Sequence, residues 1–485
     1  MDRNAYIQQI KDTIASGTFK EEWASLSQFE VPSWYKQAKF GIFIHWGLYS
    51  VPAFESEWYS RNMYMQGSKA YEHHVEVYGK HTEFGYKDFI PLFTAERFDA
   101  QEWAELFKAA GAKYVMPVAE HHDGFQMYKS ELSAYNAYNM GPHRDLLGEM
   151  KQAFEQQELV LCASSHRAEH WFFMSHGKEF ESDIHEPLAL GDFYWPAEPE
   201  PDHHDLFASA PSTEFLEDWL LRTCEIVDTY QPKVLYFDWW IQHTAFKPYL
   251  RTFAAYYYNK AQQWGIPVAI NYKFDAFMFG TAIPDVERGQ FADLKPYYWQ
   301  TDTAVAKNSW CYTEHNEYKA SVDIIRDLVD IVSKNGNLLL NIGPKADGSI
   351  PEEDRQILLE IGDWLRINGE AIYDTTHWRI SGEGPTTITE GHFTDSEPKP
   401  YTSQDIRFTC KGATLYATVL VYPDHGEVRI ESLRAKSPHF AGIIQTIHVL
   451  GLDEAVQWEQ TEEALIIRSS SMTSAVPVVF KIELD

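Results

Sequence analysis

The chain predicts an α/β protein, an irregular (β/α)8 TIM-like barrel followed by a C-terminal all-β sandwich domain. Three observations carry that prediction. First, six apolar runs each end in a polar cluster: His45-Trp46-Gly47, His121-His122-Asp123, His166-Arg167-Ala168-Glu169-His170, Asp238-Trp239-Trp240, Asn271-Tyr272-Lys273 and Asn341-Ile342-Gly343-Pro344. Parallel strands buried on both faces read as continuous apolar runs, and chemistry gathered where they end is the habit of a barrel with its site on one face. Second, helical patterns lie between the runs, which argues for repeated βαβ units. Third, the texture changes past Tyr373 to short β-rich runs without helical periodicity.

The elements follow in order. Trp103, Leu106, Phe107 and Ala110 recur at helical spacing, with Asp99 as the cap, Glu102 three residues on and Gly111 as the stop. The strand KYVMPVAEHHDGF comes next. Leu146, Leu147, Met150 and Phe154 mark a second helix, followed by LVLCASSHRAEHW. A face from Phe215 to Val227 ends near Pro232 and leads into KVLYFDWW. Ser321 is the expected cap of a helix carrying Ile324, Ile325, Leu328 and Val332, stopped by Gly336 before NLLLNIGP. A doubly wound sheet competes, but no Gly-rich phosphate fingerprint follows the first strand. Not all eight units are visible, so short or missing helices are expected.

The boundary falls at 373/374, giving a barrel domain of 1–373 and a β-sandwich domain of 374–485. Its strands are expected in ATLYATVLVY, GIIQTIHVLG, EALIIRSSS and VPVVFKIEL, and Ser381–Thr402 is expected to be a long loop. The domain is expected to serve packing rather than carbohydrate binding.

Lys and Arg number 41 against 71 Asp and Glu, a formal charge of −30 that argues against nucleic acid or an anionic membrane as partner. Homo-oligomerisation is left open. Cys162, Cys224, Cys311 and Cys410 are widely spaced, without a zinc or redox motif. The charged, amphipathic amino terminus lacks an apolar core of signal-peptide length, and no run reaches transmembrane length. These features point to a soluble, cytoplasmic protein.

Asp238 is the sharpest candidate for chemistry, a carboxylate at a rigid strand end between Phe237 and two tryptophans. A glycosidase needs a second carboxyl group across the scissile bond. Glu57, Glu120, Glu169, Asp285, Glu287 and Glu314 are the candidates, with Glu287 placed in a loop after the next strand and Arg288 beside it as either a surface neighbour or a partner. The histidines invite a metal reading through His45, His121, His166 and Asp238. Against it, adjacent His121 and His122 point opposite ways on an extended strand. The run Asp202-His203-His204-Asp205 reads as a solvated loop. Trp46, Trp58, Tyr59, Trp171, Trp239, Trp240 and Trp310 are candidates to stack on a sugar face.

These residues resemble a known family. The strings WYKQAKFGIFIHWGLYSVPAF, SEWYSRNMY, AKYVMPVAEHHDGF, GPHRDLLGEM, VLYFDWW, SKNGNLLLNIGPKADGSIPEE and GEAIY occur in order between Trp34 and Tyr373. They are similar to glycoside hydrolase family 29, the α-L-fucosidases. The resemblance implies a retaining exo-α-L-fucosidase that uses no metal or other cofactor and takes fucosylated oligosaccharides or glycosides. It implies Asp238 as nucleophile, Glu287 as acid/base, and His45, Glu57, Trp58, His121 and His122 as ligands of the fucose hydroxyls. Trp310 would line the side near the methyl group.

The chain departs from the family pattern in four places. Lys273 stands where an arginine is usual, so a forked contact becomes a single ammonium contact. Trp299-Gln300 lacks a glutamate common there, which favours Glu287. HRAEHWFF is an unusual form of its block, and Glu120 replaces a usual lysine, expected at the pocket rim. The alternatives are a metal-dependent barrel hydrolase and a catalytically silent carbohydrate-binding homologue.

Overall fold

The computed structural model describes residues 2–453, 456–469 and 473–485. Eight parallel strands close into a barrel: β1 (Phe40–Ile44), β2 (Tyr114–Glu120), β3 (Val160–Leu161 and Ala163–Ser165), β4 (Val234–Phe237), β5 (Ala269–Lys273), β6 (Ile283–Glu287), β7 (Trp299–Ala304) and β8 (Gly336–Ile342). Closure runs through β1, which pairs with β8 (Phe40 beside Leu338) and with β2 (Gly41 beside Tyr114). A Cβ at Gly41 would come within 2.4 Å of the Tyr114 ring, so only glycine lets that ring fill the barrel interior.

Two of the eight strands, β6 and β7, escape the apolar-run criterion. Their sequences, IPDVE and WQTDTA, are polar, yet almost every residue is buried. The barrel axis here holds a hydrogen-bonded column instead of a wholly aliphatic filling. Tyr35 and Tyr114 donate to Gln300 Oε1 at 2.9 and 3.1 Å, and Gln300 Nε2 donates to Asp285 Oδ2 at 2.8 Å. Buried polar groups are tolerated when satisfied in this way. No helix separates β5, β6 and β7, which accounts for the units missing from the sequence pattern.

The helices form as their caps dictate. Asp99 accepts from the backbone N–H groups of Gln101 and Glu102 and opens Ala100–Ala109. Ser321 is the first residue of its helix, not the cap; Ala320 holds that place. The helix Lys247–Trp264 has no counterpart in the sequence reading, because its YYY run hides the apolar spacing. One apolar cluster fills the space between strands and helices, and a smaller one around Phe43, Met116, Val118 and Leu339 fills the barrel.

Beyond the barrel, a five-stranded antiparallel sheet packs with a three-stranded one around Ile406, Phe408, Val428, Ile467 and Phe480. Four of its strands coincide with the expected runs; Ser470 and Ser471 at the end of EALIIRSSS lie outside the described residues. Four more, Thr376–Glu383, Ile406–Lys411, Glu427–Ile430 and Gln457–Gln460, were not legible. The segment expected as a loop from Ser381 begins inside the first of these strands. Its middle then returns to the barrel: Phe393 N–H donates to Glu287 O at 2.8 Å, and Asp395 N–H to Arg288 O at 2.8 Å.

Glu120 lies in the core, not at a pocket rim. It accepts from Arg167 Nη1 at 2.6 Å and Arg222 Nη1 at 3.0 Å, and both guanidinium groups also pair with buried Asp218. Two departures from the family pattern, Glu120 and the HRAEHW block, are thus one coupled feature. Glu120 and Asp218 are the buried partners of Arg167 and Arg222, and partly exposed Arg3 adds a third guanidinium 2.8 Å from Asp218 Oδ1. Glu120→Gln removes one of the two buried negative charges that face these arginines and is expected to cost about 3–5 kcal/mol of folding stability. Denaturant titration measures it; an unchanged midpoint would contradict the pairing.

Candidate active site

The C-terminal ends of the strands open on a cavity of about 320 Å3, lined among others by His45, Glu57, Trp58, His121, His122, His166, Glu169, Asp238, Trp239, Glu287 and Trp310. This volume sits at the small end for ligand pockets and suits a single sugar ring more than a threaded chain.

Asp238 stands one residue past β4. Its Oδ2 accepts from His166 Nδ1 at 3.1 Å and lies 3.5 Å from His122 Nε2. Burial opposes its charge, but His166, Lys273 and His122 outweigh burial and hold the carboxyl well below the usual range. These contacts favour the ionised form of Asp238.

Glu287 is the last residue of β6, fixed to the barrel wall rather than carried on a mobile loop. Trp239 Nε1 donates to its Oε2. Burial pushes its carboxyl up to about 7; Lys273 works against that rise, while Asp238 and Asp302 add to it. Lys273 does not face the cavity. Its Nζ lies 3.1 Å from Asp285, 3.2 Å from Glu287 and 3.1 Å from Asp302. One ammonium cannot neutralise three carboxylates, so protons are retained in the cluster: Asp285 too is held well up, first by burial and then by Asp302. Lysine in place of arginine thus sets charge behind the pocket instead of gripping a ligand.

The histidines form an acceptor-rich floor. His122 Nδ1 donates to His166 O at 2.7 Å, and burial brings the ring's pKa down to about 4, leaving Nε2 as a lone pair beside Asp238. Two acceptors 3.5 Å apart call for a donor between them, as a hydroxyl group supplies. His45 Nδ1 donates to Asn341 Oδ1 at 2.7 Å, whose amide nitrogen is fixed by Trp310 O at 2.6 Å. Burial also keeps His45 and His121 neutral, their pKa values well below the ordinary one. His121 Nδ1 is buried without a partner, a further vacancy for a polar ligand. The expectation that His121 and His122 diverge fails because β2 ends at Glu120. Past it the chain turns, with Gly124 at φ +79°, and both rings line the cavity, their centroids 4.3 Å apart.

Glu57 accepts from Trp310 N–H at 3.1 Å, and burial raises its pKa. Trp58 stands against Phe173, and Trp310 stacks on His45 at 5.2 Å. Arg288 is buried, its guanidinium 4.4 Å over the Trp310 ring, so it props a pocket wall and is no surface neighbour. Trp46 turns away. It packs on Phe93, Phe98 and Trp103 and donates to Lys345 O, as a residue next to inward-facing His45 must.

Among the other carboxyl candidates, Glu314 is exposed and outside the cavity, whereas Glu169 lines it with Oε2 buried and unpartnered. Sequence reasoning did not place Tyr236, Asp302, His203 or Phe393 at the site. His203 lies in a loop read as solvated, and Phe393 arrives from beyond the barrel.

The family model described as Alpha-L-fucosidase matches residues 6–370, and that of the Alpha-L-fucosidase C-terminal domain matches 399–483. The chain belongs to the α-L-fucosidase family. It is 31% identical to the tissue α-L-fucosidase of Mus musculus, over 96% of this chain and 94% of that one. With the plasma α-L-fucosidase of Homo sapiens it shares 32% identity, over 92% and 87%. The Thermotoga maritima α-fucosidase in complex with fucose superposes with a TM-score of 0.76 at 31% identity, covering 96% of this chain and 100% of that one. The fold class and the glycoside hydrolase activity follow from this membership. The expected cytoplasmic location does not survive it. Tissue and plasma fucosidases stand among the relatives, and plasma is an extracellular fluid. No described helix is long and apolar enough to cross a membrane.

Proposed function

We propose that this α-L-fucosidase removes terminal α-L-fucosyl residues from glycans or glycosides by double displacement with net retention. Residues 1–373 would act as the catalytic unit, with 374–485 supplying Phe393 to the pocket. One observation carries the reading: among the carboxyl groups that line the cavity, Asp238 is kept ionised while Glu287, at the end of a strand on its rim, is pushed up to about 7.

Asp238 attacks C1 of fucose as the bond from C1 to the leaving oxygen breaks. Glu287 gives its proton to that oxygen. In the second step Glu287 takes a proton from water, the water oxygen bonds to C1, and Asp238 leaves as carboxylate. His45, His121, His122 and Glu57 hold the sugar hydroxyls, with Trp58 and Trp310 as walls. Tyr236 and the Lys273 cluster position the two carboxyls from behind.

The test follows the anomer first released from an aryl α-L-fucoside by proton NMR. Retention delivers α-L-fucose before mutarotation; β-L-fucose first would overturn the double displacement.

The metal-dependent reading has two clusters in its favour: ligand atoms of His45, His121 and His166, and likewise those of His122, His166 and Asp238, lie within 4.8 Å of one another. Two of these rings already spend Nδ1 on protein acceptors, Asn341 and Asp238, as residues that grip hydroxyls do. Dialysis against a chelator is expected to leave turnover within about twofold of the untreated value, since no step above draws on a cation. Loss restored by zinc would favour the metal reading.

A further inference from the structure

An aromatic platform stands at the mouth of the pocket, beside Glu287. Phe274 and Phe393 are 45% and 54% exposed, unusual for large apolar side chains on a barrel rim. The Phe393 ring stacks on Trp239, 6.0 Å apart and 10° from parallel. Phe274 lies 4.5 Å from Trp239 on one side and stacks on His392 at 4.4 Å on the other. Core packing does not explain them, because half of each phenylalanine faces solvent. Both also hold left-handed backbone, φ +52° at Phe274 and +58° at Phe393, which bulky residues seldom adopt. Such strain gathers at functional sites, where surrounding contacts over-determine the conformation.

The platform is tied to Glu287 itself. Phe393 N–H donates to Glu287 O, Glu287 N–H donates to His392 Nδ1 at 3.0 Å, and Trp239 Nε1 donates to the Glu287 carboxyl. A group leaving from C1 must carry its oxygen past that carboxyl to collect the proton. Whatever is attached to the oxygen then lies over Trp239, Phe274 and Phe393. These rings offer flat apolar faces and no formal charge.

We propose that Trp239, Phe274 and Phe393 form a leaving-group subsite that takes aglycones with a flat apolar face, an aryl ring or the C–H face of a pyranose. This rests on the assignment of Glu287 as the acid, and the test separates the two.

The kcat/KM values of the native enzyme, Phe274→Ala and Phe393→Ala are compared on three substrates: α-L-fucosyl fluoride, an aryl α-L-fucoside and a fucosyl disaccharide. Fluoride is one atom and cannot reach the platform. Phe274→Ala is expected to keep the fluoride value within about twofold while losing about three- to tenfold on the other two, the size of one aromatic contact. Phe393→Ala is expected to lower the ratio of aryl or disaccharide to fluoride turnover in the same direction. Loss on the aryl substrate alone identifies a π face as the recognised chemistry; loss on both extends it to the pyranose face.

Equal losses on all three substrates, or none, would overturn the subsite, and equal melting temperatures exclude misfolding as the cause. Losses that vanish on raising protein concentration would make the face a contact between copies and likewise overturn it. Glu287→Gln tests the acid separately: it should spare kcat/KM on the fluoride, which departs without a proton, and lose it on the disaccharide, and equal losses on both would overturn the assignment of Glu287 whatever the phenylalanine variants do.

Discussion

Asp238→Ala lowers kcat/KM on an aryl α-L-fucoside by an expected factor of at least ~10^4, because nothing else in the cavity can take its place as the attacking group. His122 and His166 are held where they are by their own partners, the carbonyl of His166 and the hydroxyl of Ser164, so the pocket should keep its shape. What the substitution creates is a small vacancy flanked by imidazoles on the face of C1 that Asp238 used. Azide fits such a vacancy. With an activated aryl leaving group it is expected to restore turnover and to give β-L-fucosyl azide, the inverted product. Inversion follows from the count of displacements: azide makes one where Asp238 and water make two. Loss without rescue would point to a collapsed pocket, and the α-azide would place the nucleophile elsewhere. Undiminished turnover would remove Asp238 from the mechanism.

The sequence disclosed this site unevenly, and the reasons are physical. Asp238, His45, His121 and His122 follow strands dominated by apolar residues, and burial on both faces makes such strands conspicuous. β6 and β7 carry Asp285, Glu287, Gln300 and Asp302 inward, so their alternation looks like that of a loop. That is why Glu287, expected in a loop, closes a strand on the cavity wall. Lys273 was expected to touch sugar because it stands where the family pattern has a contacting arginine. Its full burial among three carboxylates depends on β6 and β7, which a linear reading cannot bring together. Trp46 illustrates the opposite error, since an aromatic residue beside an inward-facing histidine is outward-facing by the alternation of the chain. Phe393 was out of reach altogether: 106 residues separate it from Glu287 (393 − 287), and only the returning segment joins them.

Glu287→Gln provides the second large effect, and its size should depend on the leaving group. Without the proton donor, alkyl fucosides and disaccharides are expected to lose about 10^2–10^4-fold in kcat/KM, the usual worth of general acid catalysis. A dinitrophenyl fucoside, whose oxygen leaves without help, should lose far less in the first step. The pH profile gives an independent reading. Glu287 must be protonated to act as acid and its pKa lies at about 7, so native kcat/KM is expected to fall tenfold per pH unit above that value. On the acid side Asp238 stays ionised, while Glu57, whose pKa burial raises, takes up a proton before His122, which loses its lone pair only at about 4. The alkaline limb is therefore the one that reports Glu287, and Glu287→Gln should lack the fall above 7. If that fall persists in the variant, the titrating acid is a different carboxyl. Glu169 is then the residue to substitute, since burial and the nearby Asp238 hold its carboxyl well above the ordinary range and it lines the same cavity. The Lys273 cluster makes Glu287 the stronger choice: three carboxylates compete for one ammonium, and of the three only Glu287 closes a strand at the rim, where the leaving oxygen must pass.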